Sequence, residues 1–181
     1  AGRSIDGDAL IYVIAKSRHA QGRLHGPVVG TVMSNLGLEL ALKGLGLRFD
    51  RTKVGDRYIM EHLKATHGIL GGEPSGHIIC RDRTSTGDGI ISALQVLAAL
   101  SDAECTLADA VCDMQQYPQV LVNIRMERRV DPLATVPVQD AVKAAEAELG
   151  DRGRVLLRPS GTEPVVRVMV EGTDAAQVQR I

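Results

Sequence analysis

The chain has 181 residues, of which 44% are hydrophobic, and its formal net charge is −1 at pH 7. This length allows one large or two small domains with a sizeable core, and the near-neutral charge argues against a nucleic-acid partner. No apolar run is long enough to cross a bilayer, so a membrane partner is not expected. The three cysteines fit no zinc or disulfide spacing and predict reduced thiols in a cytoplasmic protein: Cys80, Cys105 and Cys112.

Helical spacing of apolar residues predicts a first helix over residues 6–18. Asp6 and Asp8 stand at its start, where the helix dipole favours acidic side chains. An Asp-Gly-Asp sequence also occurs in metal-binding loops, but helix capping is the favoured interpretation here. No metal site is therefore predicted within this chain.

A strand, helix, strand unit follows. Residues 26–33 form a continuous apolar run typical of a buried parallel or central strand. The next helix begins at Ser34 and Asn35 and ends at Gly44 and Gly46, and its predicted apolar period contains Leu36, Leu40 and either Leu42 or Lys43.

The next predicted strand, residues 47–54, leads into a helix that begins near Asp56 and Arg57. Lys53 and Arg57 flank the end of the strand, where positive side chains suit an anionic ligand. An aspartate at a helix start is ordinarily a cap, so a purely structural role for Asp56 stays open.

A glycine-rich loop between two short apolar strands lies within residues 69–80. Glu73, Ser75 and His77 place an acceptor, a hydroxyl and a titratable ring within a few residues of each other. A carboxylate beside a hydroxyl is a common arrangement for binding vicinal sugar hydroxyls. The alternative is a plain hairpin whose loop binds nothing.

A turn over residues 84–89 then precedes a capped helix, whose predicted buried stripe is Ile90, Leu94, Leu97 and Ala98. Tyr117 and Pro118 interrupt the pattern, which predicts a boundary that separates residues 1–114 from residues 115–181. The second part has the order strand (119–125), helix (138–149), two strands and a helix from about Asp174, which is typical of a small α+β layer with an antiparallel sheet. For the first part, the family resemblance that these motifs show, set out below, implies an α/β domain with a mixed sheet.

The clearest candidate site is the loop from Arg158 to Arg167, which lies between two predicted strands. Gly161 permits a tight turn, Ser160 and Thr162 add hydroxyl donors, and the two arginines offer planar forks that suit two oxygens of one anion. A phosphate or carboxylate site is therefore predicted. A hairpin with solvated arginines is the alternative.

These motifs resemble those of the α-D-phosphohexomutases over essentially the whole chain. The loop R-P-S-G-T-E-P-V-V-R resembles the phosphate-binding loop of that family, and G-E-P-S-G-H matches its sugar-recognition motif. T-K-V-G-D-R-Y and T-G-D-G follow the family pattern in the same order. The resemblance implies the third and fourth domains of a four-domain enzyme, and the first residue, Ala1, and the last, Ile181, which falls in a helical pattern, likewise predict a fragment.

Such an enzyme would interconvert the 6-phosphate and 1-phosphate of a hexose through a phosphoserine and a bisphosphate intermediate. The sequence looks closest to the glucosamine branch, with glucose or mannose phosphate as alternatives and a non-catalytic phosphosugar-binding module as another. The implied partners are a phosphorylated hexosamine and the N-terminal domains of the same protein, and a homodimer stays open. Mg²⁺ is implied for the intact enzyme, with ligands in an upstream D-G-D-G-D-R loop.

By the same resemblance, the non-reacting phosphate would be held by Arg158, Ser160, Gly161, Thr162 and Arg167. The 3- and 4-hydroxyls of the sugar would be gripped by Glu73 and Ser75. The candidates for the acid/base or charge-stabilising group near the reacting phosphate are His77, Lys53, Asp56 and Arg57. The family's nucleophilic serine loop is not reproduced around Ser34 or Ser75, so this polypeptide alone is predicted to be inactive.

Overall fold

The computed structural model describes residues 2, 4–127, 131–160 and 163–181. The chain divides into two compact units, Ala1–Gln116 (unit 1) and Tyr117–Ile181 (unit 2). The sequence predicts this division between residues 114 and 115.

Within the described residues, unit 1 contains a four-stranded sheet formed by β1 (Val28–Thr31), β2 (Phe49–Thr52), β3 (Leu70–Gly72) and β4 (Ile78–Cys80). The strand order is β2-β1-β3-β4. The pairs β1–β2 and β1–β3 are parallel, and β3–β4 is antiparallel. The predicted mixed sheet is therefore confirmed.

Helices cover both faces of this sheet: α1 (Gly7–Ala20), α2 (Leu36–Gly44), α3 (Asp56–Thr66), α4 (Gly89–Asp102) and the short α5 (Leu107–Ala110). Val28 packs in a core with α1, α2 and α4, whereas Val29 packs against Ile59 and Leu63 of α3. Because β1 is buried on both faces, its sequence is an uninterrupted apolar run. The prediction of a buried central strand is confirmed.

The predicted apolar stripe of α4 is wrong. Ile90, Leu94 and Leu97 are 75%, 53% and 60% exposed, and Ala98 is exposed as well. The residues of α4 that are buried are Ser92, Val96 and Ala99. In α2 the predicted Leu42 is fully buried, but Leu40 is exposed and Leu38, which was not predicted, is buried in its place.

Unit 2 is an antiparallel three-stranded sheet within the described residues, in the order β5 (Gln119–Arg125), β7 (Val165–Gly172), β6 (Gly153–Pro159). Leu149 of α6 (Val136–Leu149) and Val178 of α7 (Ala175–Arg180) pack with Val170 against one face. The predicted α+β arrangement is confirmed. Helix α6 begins before the predicted residue 138 because Pro137 fits a first helical turn, where no backbone N–H is required.

Candidate functional site

The loops that carry the predicted unit 1 residues lie at one edge of the sheet. Lys53 and Asp56 follow β2, and Glu73 follows β3. Since β2, β1 and β3 are parallel, the chain leaves each of them at the same edge. In open α/β sheets this carboxyl edge is where ligands bind.

Glu73 connects the two loops directly. Its Oε1 accepts a hydrogen bond of 3.0 Å from the backbone N–H of Gly55. Gly55 has a φ of 127°, which a residue with a side chain rarely adopts, and this backbone conformation precedes the first turn of α3. The structure therefore brings the K-V-G-D-R and G-E-P-S-G-H segments together.

The start of α1 packs against the same loop. The Gly7 N–H donates to the Pro74 carbonyl at 2.9 Å. A β-carbon at position 7 would lie 2.1 Å from the Glu73 carbonyl oxygen and 2.6 Å from the Gly76 nitrogen. This close approach explains the glycine in the Asp-Gly-Asp sequence, which the sequence alone left unexplained.

His77 and Asp56 form the second contact between the two loops. His77 Nε2 lies 3.5 Å from Asp56 Oδ2, and the two side chains are 40% and 56% exposed. The pair places a titratable ring beside a carboxylate, although His77 Nε2 itself is buried and has no hydrogen-bond partner among the described residues.

Gly87 supports the His77 ring, because a β-carbon there would lie 2.2 Å from His77 Nε2. A Gly87→Ala variant is therefore expected to displace the ring from Asp56 while the fold is retained, at a cost of no more than about 1 kcal/mol. NMR of the imidazole resonances measures this displacement. Gly89→Ala is the matched control, since nothing lies within 4 Å of a β-carbon at Gly89; equal effects of the two variants would contradict the prediction.

The remaining predicted unit 1 residues are on the surface. Lys53 is exposed, with its Nζ 6.0 Å from the Tyr58 ring, and Ser75 is exposed in the turn of the loop. Arg57 pairs with Glu61 at 2.9 Å along the surface of α3. This ion pair uses the Nε of Arg57, one of the predicted candidates for charge stabilisation.

The carboxylates of the Asp-Gly-Asp sequence have structural partners. Asp6 caps α1 by accepting from the Ala9 N–H at 3.0 Å, and its Oδ2 accepts from Gln116 Nε2 at 2.9 Å. Asp8 is fully buried and its Oδ2 accepts from the Asn35 N–H at 2.7 Å. Within the described ranges no group of three His, Cys, Asp or Glu side chains could hold a metal ion.

Asp8 is also a residue whose importance the sequence did not indicate. Burial raises its pKa to about 6, and the charge of Asp6 adds to this, whereas hydrogen bonds from Asn35 and Ser34 and the charge of Arg51 oppose it. Through these hydrogen bonds Asp8 holds residues 34 and 35, which follow β1 at the carboxyl edge of the sheet.

In unit 2 the sheet register places Arg158 of β6 directly opposite Arg167 of β7. Both side chains are half-buried, and each has a buried Nε with no hydrogen-bond partner in the part of the chain that the structure describes. Burial, and then the neighbouring charge of Arg167, lower the pKa of Arg158. Two adjacent guanidinium groups with this unused donor capacity are suited to bind an anion.

The loop between the two strands is only partly described, because Gly161 and Thr162 lie outside the described residues. Ser160 is buried, its N–H donates to the Val165 carbonyl at 2.7 Å, and its hydroxyl accepts from the Glu163 N–H at 3.3 Å. These bonds close the loop that separates the two arginines.

A cavity of about 520 Å³ opens beside Arg167. It is lined by Asn123, Arg125, Met126, Glu163, Pro164, Val165 and Arg167. Sequence reasoning missed Asn123 and Arg125, because only the β5–β7 register shows that they lie beside Arg167.

No helix among the described residues combines the length and the apolar character needed to cross a bilayer.

Comparisons with known proteins match both units. The chain is 61% identical to a phosphoglucosamine mutase of Methylococcus capsulatus and covers 40% of that protein's length, with 99% of this chain aligned. A phosphoglucosamine mutase of Alkalilimnicola ehrlichii is 60% identical, with 98% of this chain and 39% of that protein aligned. The chain thus spans about 40% of the length of these curated relatives.

Solved structures share the fold. An N-acetylglucosamine-phosphate mutase in its product complex superposes with a TM-score of 0.83 at 19% identity, over 97% of this chain and 42% of that one. The N-acetylphosphoglucosamine mutase of Aspergillus fumigatus, in complex with GlcNAc-6P and magnesium, gives a TM-score of 0.80 at 21% identity, over 98% of this chain and 42% of that one.

Two family models match consecutive parts of the chain. Residues 6–117 match the phosphoglucomutase/phosphomannomutase alpha/beta/alpha domain III, and residues 121–181 match the C-terminal domain of the same family. The chain therefore belongs to the phosphoglucomutase/phosphomannomutase family, of which it contains domain III and the C-terminal domain.

Proposed function

We propose that this chain supplies the sugar-binding and phosphate-binding residues of a phosphoglucosamine mutase, which interconverts glucosamine 6-phosphate and glucosamine 1-phosphate. The observation that carries the proposal is the Arg158–Arg167 pair, which stands on one face of the unit 2 sheet with no counter-ion in the described part of the chain. Two parallel forks of N–H donors match the oxygens of a phosphate dianion. The non-reacting phosphate binds here, and the proposed loop partners are Ser160, Gly161 and Thr162.

Glu73 and Ser75 bind the sugar. One carboxylate oxygen of Glu73 is fixed by the Gly55 N–H. The other oxygen has no hydrogen-bond partner in the described residues, so it can accept a bond from a sugar hydroxyl. Ser75 is exposed on the same loop and adds a hydroxyl that both donates and accepts. The 3- and 4-hydroxyls suit this binding mode because they occupy equivalent positions in the two orientations of the phosphosugar, in which the 1- and 6-ends are exchanged.

His77 and Asp56 handle the proton at the reacting hydroxyl. His77 takes the proton from the attacking hydroxyl in one half-reaction and returns it in the other, while Asp56 orients the ring. Lys53 and Arg57 lie at the same edge and contribute positive charge near the reacting phosphate. The contribution of all these residues is positioning and charge stabilisation, which account for most of catalysis in phosphoryl transfer.

The chain binds the substrate but does not by itself complete the reaction. The phosphoserine that exchanges the phosphoryl group has no counterpart around Ser34 or Ser75, and the bisphosphate intermediate needs that residue in both half-reactions. Mg²⁺ is assigned to the intact enzyme, with no ligand among the residues described here. An isolated chain with measurable mutase turnover would contradict this part of the proposal.

The test is a calorimetric titration of glucosamine 6-phosphate into the chain and into an Arg158→Ala/Arg167→Ala variant. Hydrogen bonds to charged groups contribute about 1.5–3 kcal/mol each, so the variant is expected to bind at least 100-fold more weakly. Arg152→Ala is the matched control, because Arg152 is exposed at the opposite end of β6. Unchanged affinity in the double variant would overturn the proposal.

Competition with glucose 6-phosphate and mannose 6-phosphate identifies the sugar, because the family is named for mutases of glucose and mannose phosphates. Preference for glucosamine 6-phosphate supports the proposed substrate. Preference for either competitor assigns the chain to a phosphoglucomutase or phosphomannomutase.

A further inference from the structure

The edge strand β5 lies beside the arginine pair. Asn123 is the direct partner of Arg167 in the β5–β7 register, and Arg125 is the direct partner of Val165. Side chains two residues apart on a strand share a face, so Asn123, Arg125 and Arg167 point to the same side of the sheet. Diagonal neighbours in an antiparallel pair are roughly 7–8 Å apart, which the long arginine side chains can bridge.

The cavity described above joins these side chains. Its volume of about 520 Å³ lies within the usual range of about 300–1,000 Å³ for small-molecule sites. Arg125 and Arg167 contribute two positive charges to the lining, against one negative charge from Glu163. The cavity therefore favours an anionic ligand that extends from Arg167 towards β5.

The arginine side chains on this face of the unit 2 sheet differ in whether they have a partner. Arg154, at the far end of β6, is neutralised by Glu171, with Nε and Oε2 2.7 Å apart. The side chains of Arg125 and Asn123 have no hydrogen bond or ion pair within residues 4–127, 131–160 and 163–181, although Arg167 is their neighbour. Like charges that lie side by side destabilise a sheet unless an anion lies between them.

We propose that Arg125 and Asn123 form a third wall of the phosphate site, in which β5 contacts the same phosphate group of a phosphosugar as Arg158 and Arg167. Arg125 supplies a further guanidinium to the phosphate oxygens. The Asn123 amide, next to Arg167, donates a hydrogen bond to the same phosphate. This inference rests on the proposed function, since it assigns two more residues to that same site.

The test compares Arg125→Gln with Arg152→Gln, an exposed arginine at the opposite end of β6, by titration with glucosamine 6-phosphate and with inorganic phosphate. Arg125→Gln is expected to weaken the binding of both ligands about 10-fold, and Arg152→Gln is expected to leave it unchanged. The loss should be greater at pH 7.5 than at pH 5, because the second pKa of a phosphate is about 6 and an added guanidinium favours the dianion. A residue that acts only in folding would not change this pH dependence.

Asn123→Asp is the second variant, because it keeps the size of the side chain and adds a negative charge next to Arg167. It is expected to weaken binding more than Arg125→Gln does. If both variants bind as the parent chain does, while Arg158→Ala/Arg167→Ala does not bind, the inference is wrong and the proposed function stands. If the parent chain itself binds neither ligand, both the inference and the proposed function are overturned.

Discussion

Relative to an Asp8→Asn variant, the parent chain is expected to lose up to about 3 kcal/mol of its free energy of unfolding as the pH rises from 4 to 7. The folded-state pKa of Asp8 is about 6, whereas an unperturbed aspartate has a pKa of about 3.9. One pKa unit corresponds to about 1.4 kcal/mol, which gives this upper value.

The direction follows from proton binding. Because the pKa of Asp8 is raised on folding, the folded state holds the proton more tightly than the unfolded state does. The stabilisation that comes from this tighter proton binding is fully present below about pH 4 and is lost as the pH rises towards 6. Above that, the free energy of unfolding no longer changes through Asp8. Asparagine has no charge to bury, so the free energy of unfolding of the variant lacks this term.

The measurement is urea unfolding at several pH values, followed through the amide NMR signals of α1. Ser92→Ala is the control, since Ser92 is a buried polar residue of the same unit whose hydroxyl donates to backbone carbonyls and does not titrate in this range. Its difference from the parent should be independent of pH. An equally flat difference for Asp8→Asn would contradict the burial argument.

Asp8 also links stability to the site. Its carboxylate anchors Asn35, and the adjacent Gly7 packs against the loop that carries Glu73. Natural proteins retain unfavourable buried charges at functional positions more often than elsewhere. The cost of burying Asp8 is consistent with a role in holding the two loops in place.

The sequence predicted those parts of the fold in which periodicity and residue type agree. The apolar run of β1 requires burial on both faces, and Arg158 and Arg167 are opposite each other because a short polar loop joins the two strands that carry them. The predicted N-cap of α4 is also confirmed, because the Asp88 side chain accepts from two N–H groups of the first turn.

The stripe of α4 could not be predicted because this helix is apolar on nearly every side. Helical spacing fits the large residues Ile90, Leu94 and Leu97 as well as it fits Ser92, Val96 and Ala99. The structure buries the second set, in which Val96 and Ala99 pack in the core that contains α1. Small side chains allow two helices to approach closely. Which face of α4 is buried therefore depends on the helix that packs against it, and the sequence of α4 alone gives no information about that helix.

The proposed contribution of β5 to the phosphate site was missed for a related reason. Asn123 and Arg125 lie more than 30 residues from the arginine loop in the sequence, and only the pairing of β5 with β7 brings them next to it. Strand register depends on the complete sheet, so no local pattern indicates this neighbourhood.

A Glu171→Ala variant is expected to lower the free energy of unfolding of unit 2 by about 3 kcal/mol. Glu171 is fully buried and Arg154 is 22% exposed, and their Nε–Oε2 distance is 2.7 Å. Removal of one partner of a buried ion pair costs about 3–5 kcal/mol. The lower value applies because the partly exposed guanidinium of Arg154 can still reach water.

Two further variants separate the ion pair from simple loss of packing. Glu148→Ala breaks an exposed pair with Arg180, and exposed pairs contribute about 0–1 kcal/mol, so a small effect is expected. Arg154→Met/Glu171→Met replaces both charges with apolar groups and should recover most of the stability that Glu171→Ala loses. If the double variant is as unstable as Glu171→Ala, the loss is one of packing and not of an uncompensated charge. Recovery would instead show that the stability lost in Glu171→Ala is the cost of leaving the charge of Arg154 without its partner.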